Sequence, residues 1–178
     1  MKIVKRILLV LAILIAIPLI AALFIKKDFT VAREVVVNKP SSQVFNYVKY
    51  LKNQDNFNKW VMTDPAAQKS YRGTDGTVGF AYAWNSKMDE LGEGEQVIKK
   101  IDEGRRVDYD VHFVRPFENN ANIYMATEPV TNNQTKVKWV FQGTSRYPMN
   151  FMNLFIDNIL GKDLATSLDN LKSLLEKS

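Results

Sequence analysis

The chain begins with an unbroken apolar block. Residues 7–25 read ILLVLAILIAIPLIAALFI, without a charged side chain, between Lys5-Arg6 and Lys26-Lys27. As a helix rising about 1.5 Å per residue, the block extends roughly 28 Å, close to the hydrocarbon thickness of a bilayer. No face of it is polar, so it predicts a transmembrane helix and not an amphipathic core helix. Pro18 lacks a backbone donor and is expected to bend that helix. A cleaved signal peptide would also carry Lys2, Lys5 and Arg6 as its positive end. The residues favour an uncleaved anchor, because the apolar run exceeds about 15 residues and meets lysines without a small-x-small site. Lys2, Lys5, Arg6 and the terminal amine slightly outweigh Lys26, Lys27 and Arg33, which Asp28 partly offsets. That balance puts the N-terminus inside and the rest of the chain on the non-cytoplasmic side.

After the anchor the patterning changes. Residues 30–38 (TVAREVVVN) are β-rich, and Pro40-Ser41-Ser42 then opens a helical spacing of Val44, Phe45, Tyr47, Val48 and Leu51. Residues 53–60 are a short polar stretch, helical or loop. Period-two alternation follows. Val78, Phe80, Tyr82 and Trp84 share one face of residues 76–85, with Gly79, Ala81 and Ala83 on the other. Val107, Tyr109, Val111 and Phe113 alternate with Arg106, Asp108, Asp110 and His112; then come Ala121, Ile123, Met125 and Thr127, and later Val137, Trp139 and Phe141. These are antiparallel strands with one buried face. Asp102-Glu103-Gly104 and Asn132-Asn133 mark turns between them. Residues 92–101 read as a further strand whose mixed polarity leaves its faces unassigned. Residues 149–176 read as a helix that Gly161 can interrupt, with Leu164, Leu168, Leu171 and Leu175 forming one stripe. One strand, a helical region, about six more strands and a long terminal helix predict an α+β fold in which one sheet wraps one helix. The division is a membrane anchor over residues 1–28 and one ordinary domain over residues 29–178.

Charge and composition narrow the chemistry. The chain has 24 Lys+Arg against 19 Asp+Glu, but without Lys2, Lys5 and Arg6 the remainder is 21 against 19. A nucleic-acid footprint needs a denser basic stripe than that. With no Cys there is no thiolate metal site, iron-sulfur cluster, disulfide framework or Cys nucleophile. The single imidazole, His112, falls on the polar face of its strand, which leaves no triad to assemble. The carboxylates Asp89-Glu90, Glu93, Glu95, Asp102-Glu103, Asp108 and Asp110 lie beside turns or on polar faces and read as solvated charges, so no metal site and no cofactor is implied. Gly92-Glu93-Gly94 reads as strand entry, since no Lys-Ser/Thr helix follows to make a phosphate loop. Arg33 shares parity with Val31, Val35 and Val37, so it is either an inward anion contact or part of a frayed strand start near lipid headgroups.

The aromatics Tyr82, Trp84, Tyr109, Phe113, Trp139 and Phe141 all fall on the expected inward faces. A curved sheet crossed by one helix need not fill its own concavity, so these rings are either core or the walls of a pocket. The order of elements resembles the helix-grip fold of the START and Bet v 1 type. More narrowly, it resembles the bacterial SRPBCC domains described as polyketide cyclase/dehydrase and lipid transport. The resemblance rests on Val31-Ala32-Arg33-Glu34-Val35 leading to Pro40-Ser41-Ser42-Gln43-Val44-Phe45, then Trp60, Tyr71-Arg72-Gly73, Gly76 to Gly79, Tyr82-Ala83-Trp84, Gly92-Glu93-Gly94, Thr135 to Trp139, and the closing Leu-rich helix. It implies a curved antiparallel sheet around the C-terminal helix, with an apolar cavity between them. The candidate ligand-binding residues are then Trp60, Tyr82, Trp84, Tyr109, Phe113, Trp139 and Phe141. The expected partners are an apolar or amphipathic small molecule, lipid-like and bound without reaction, and the lipid bilayer. Alternatives are a cyclase or dehydratase acting in the cavity, and an interaction module whose cavity is collapsed.

Overall fold

The apolar block forms α1, Lys2–Ala22, which runs through Pro18 and has only Ala22 buried. The computed structural model describes residues 2–177. Five residues after α1 the chain enters β1, Asp28–Val37, and then α2, Ser41–Val48, whose N-cap position is Pro40. Val44, Phe45 and Val48 are the buried face of α2, as their helical spacing requires. A 3₁₀ turn over Leu51–Asn56 and the short α3, Lys59–Thr63, follow. The Asn58 side chain accepts from the Trp60 N–H and caps α3.

Six strands come next: β2 (Gln68–Arg72), β3 (Ala81–Asn85), β4 (Glu93–Asp102), β5 (Arg106–Arg115), β6 (Asn119–Thr131) and β7 (Gln134–Thr144). With β1 they form one antiparallel sheet in the order β1-β7-β6-β5-β4-β3-β2. A 3₁₀ turn, Met149–Met152, leads into α4, Asn153–Lys177, which packs chiefly on β1. Leu164, Leu168, Leu171 and Leu175 are its buried stripe. Register builds the inner face in rows. Ile98, Tyr109, Ile123, Phe141 and Val31 pair in turn across β4, β5, β6, β7 and β1, while Trp84, Gly94 and Phe113 pair across β3, β4 and β5.

Two expectations change. Val78 does not share a strand face with Phe80, Tyr82 and Trp84: β3 starts at Ala81, and Val78 sits exposed in a turn where Gly76 and Gly79 adopt positive φ. α4 is not interrupted at Gly161. That glycine is buried within the helix, and a β carbon there would stand 1.9 Å from Nη2 of Arg33. Arg33 does point inward, toward α4, but its guanidinium is already committed. It donates to both carboxylate oxygens of Asp157 at 2.9 and 3.0 Å, and to the carbonyls of Ala32 and Asp157.

Candidate functional site

Between the inner face of the sheet, the helical region of residues 51–63 and Leu160 of α4 lies a cavity of about 370 Å³. The period-two alternation that turns charges to solvent also turns large rings inward, and the strand register sets them side by side. All seven candidate residues, Trp60, Tyr82, Trp84, Tyr109, Phe113, Trp139 and Phe141, line this cavity. Phe113 stands between Trp84 and Phe141, with ring centroids 6.1 Å away edge-on and 6.3 Å away stacked. Gly94 makes the Trp84 wall possible. The indole lies over that glycine, where a β carbon would come within 2.7 Å of the ring.

Several polar tips on these rings are tied back into the protein. Trp84 Nε1 donates to the Leu91 carbonyl at 3.1 Å, and Trp60 Nε1 donates to Asp163 at 3.2 Å. The Tyr82 hydroxyl donates to Asp55 at 2.9 Å, and Asp55 also pairs with Lys69. Burial, reinforced by the nearby Asp55 carboxylate, pushes the Tyr82 phenol up, well beyond its ordinary range. Burial does the same to Tyr109. Neither phenol is a base near neutral pH.

Three buried polar residues absent from the candidate set, Gln54, Asn58 and Gln96, also line the cavity. Gln54 Oε1 accepts from Asn58 Nδ2 at 3.0 Å and from Gln96 Nε2 at 3.3 Å. Gln54 lies in the polar 51–56 turn and Gln96 on a strand whose faces the pattern left open; β4 changes register at Glu93/Gly94 and at Ile98/Lys100, which breaks strict alternation. Toward solvent the walls end in the exposed side chains of Asp89, Glu90, Phe117 and Asn119, with Arg115 held by Glu93 and Asn85. His112 is remote from this surface. It is exposed on the outer face and its Nδ1 lies 2.8 Å from Asn120 Oδ1. Among the described residues no group of three or more acidic or imidazole side chains converges to hold a metal ion.

The sequence model for polyketide cyclase / dehydrase and lipid transport matches residues 28–176. The chain belongs to that family. No curated protein matches it significantly. Solved structures place this polyketide cyclase / dehydrase and lipid transport domain in the Bet v 1-like fold. A solution structure from Thermobifida fusca is 20% identical, with a TM-score of 0.56 over 80% of this chain and 90% of that one. Norcoclaurine synthase from Thalictrum flavum, solved with dopamine and hydroxybenzaldehyde, is 12% identical, with a TM-score of 0.65 over 84% and 87%. A protein of Mesorhizobium loti is 12% identical, with a TM-score of 0.59 over 84% and 98%. At these identities the likeness is one of fold alone.

Proposed function

We propose that this is a membrane-tethered domain that takes an apolar or amphipathic small molecule into its cavity and releases it chemically unchanged. The observation that carries the reading is the cavity itself: it is about 370 Å³, within the size range of small-molecule sites, and its walls are mainly apolar and rich in aromatic rings. An unfilled interior of that size also counts against an interaction module with a collapsed core. Family membership supports a lipid-like ligand class.

Support for the tether comes from α1 and from its attachment. α1 is long and apolar enough to span a bilayer. Its end is held to the domain by buried Asn150, whose Nδ2 donates to the carbonyls of Ala22 and Ile25, and by Asn153, which donates to those of Lys26 and Lys27. Beside that junction Met149, Met152, Leu154, Phe155 and Ile159 stand exposed, an apolar ridge suited to a headgroup region. The basic residues before α1 favour the non-cytoplasmic side for the domain. The alternative, a cyclase or dehydratase, draws on Asp89, Glu90 and Arg115 at the cavity.

All three tryptophans of the chain line the cavity, so tryptophan emission reports on its occupant. The test is titration of the full-length protein in detergent with fatty acids, isoprenoids and aromatic polyketide-like compounds. Emission changes saturating at micromolar ligand, with the compound recovered at unchanged mass, support binding without reaction. A changed mass supports the enzyme. No response from any class removes the proposal.

A further inference from the structure

One corner of the cavity carries more hydrogen-bond donors than the protein can satisfy. Gln54, Tyr109 and Trp139 meet there, each at most 2% exposed, and Gln54 Nε2, the Tyr109 hydroxyl and Trp139 Nε1 have no well-formed partner. The orientation of Gln54 is fixed from outside. The Trp60 N–H donates to Asn58 Oδ1, so Asn58 presents its NH₂ to Gln54, which must answer with Oε1 and turn Nε2 to the corner. An indole nitrogen only donates. The Tyr109 oxygen is near both the Trp139 and Gln54 donors, each of which favours its charged form. Even if that oxygen received one proton from each, the phenol proton and the second amide proton of Gln54 would still lack an acceptor. Buried donors in that condition carry a desolvation cost that an incoming acceptor relieves.

We infer that the Gln54–Tyr109–Trp139 corner is a subsite for an uncharged acceptor oxygen, so that the ligand is an apolar molecule bearing a ketone, ester or amide carbonyl. A carboxylate is not the preferred head. The cationic side chain lining the cavity, Arg115, is engaged by Glu93, Asn85 and the Ser86 carbonyl, and a buried anion without a cation is strongly disfavoured. A cationic head placed in that corner would face the same surplus of buried donors. The inference rests on the proposed binding function and specifies its ligand class.

The test uses four probes of equal chain length on the full-length protein in detergent: dodecane, 2-dodecanone, dodecanoate and dodecylammonium. 2-Dodecanone is expected to bind roughly tenfold more tightly than dodecane, about the worth of one good buried hydrogen bond, and more tightly than either charged probe. In Tyr109→Phe and Gln54→Leu the ratio of ketone to dodecane affinity, measured within each variant, should fall toward unity. A second readout needs no ligand. Tyr109→Phe removes an unpaired buried hydroxyl, so its melting midpoint should stay level or rise, whereas a hydroxyl bonded for structure would lower it. Equal binding of ketone and alkane, preference for dodecanoate, or a ketone preference that survives both substitutions overturns the subsite and leaves the binding function standing. Binding of none of the four overturns both.

Discussion

Arg33 and Gly161 compete for one volume. The guanidinium lies across the glycine on its way to Asp157, and any β carbon at position 161 would overlap it. Glycine inside a helix ordinarily costs about 1 kcal/mol relative to alanine, so its place in the middle of α4 is explained by what crosses it. In the native background Gly161→Ala should therefore fail to stabilise, because the propensity gain is offset by displacing Arg33 from its carboxylate. In an Arg33→Met background the same substitution should stabilise by about 0.5 to 1 kcal/mol. A double-mutant cycle by denaturant unfolding reads the difference.

The Arg33–Asp157 pair also sets a pH dependence. Hydrogen bonding to Arg33 holds the Asp157 carboxyl below its ordinary range and raises Arg33 above its own. A carboxyl depressed in the folded state contributes stability above its unfolded pKa and loses it as pH falls through the folded value. The pair is solvent-exposed, so the contribution is small. Unfolding midpoints measured from pH 6 down to pH 2 should fall less steeply for Asp157→Asn than for the native chain.

Core and cavity wall should respond differently to truncation. Leu168 is buried in the α4 stripe and does not line the cavity, so Leu168→Ala should cost about 2 to 5 kcal/mol and leave ligand affinity intact. Phe113 is half-buried and faces the cavity. Phe113→Ala should cost less than the roughly 3 to 5 kcal/mol of a full aromatic core loss, while weakening binding. Paired melting and titration experiments separate the two.

His112→Ala should change stability by no more than about 0.5 kcal/mol and leave binding unchanged, since the ring is exposed, hydrogen-bonds Asn120 and does not line the cavity. Loss of binding in this variant would place imidazole chemistry in a cavity that the ring does not line.

The sheet was legible where alternation was strict. Val107, Tyr109 and Val111, then Ala121, Ile123 and Met125, are buried as their parity requires, and the Leu stripe of α4 is buried throughout. β2 left no such signal: Gln68–Arg72 is an edge strand with Tyr71 as its one large apolar residue, and that ring is exposed. Periodicity carried Val78 too far, because glycines at positive φ end the pairing where composition still alternates. The strand rings of the cavity, Tyr82, Trp84, Tyr109, Phe113, Trp139 and Phe141, could be proposed from parity because the same rule that builds a core builds a wall, whereas Trp60 came from the family resemblance. The polar corner could not. Gln54 reaches it from an irregular turn and Gln96 from a strand with two register shifts, and neither position has a period to betray it.

Native mass spectrometry of the full-length protein, extracted from its own membrane in mild detergent, reads the occupancy of the cavity. The account predicts one bound molecule per chain, apolar in mass and fragmentation, released unchanged on activation and depleted in Trp84→Ala. A chain that arrives with no adduct, and takes up none when incubated with membrane lipid extract, would contradict it.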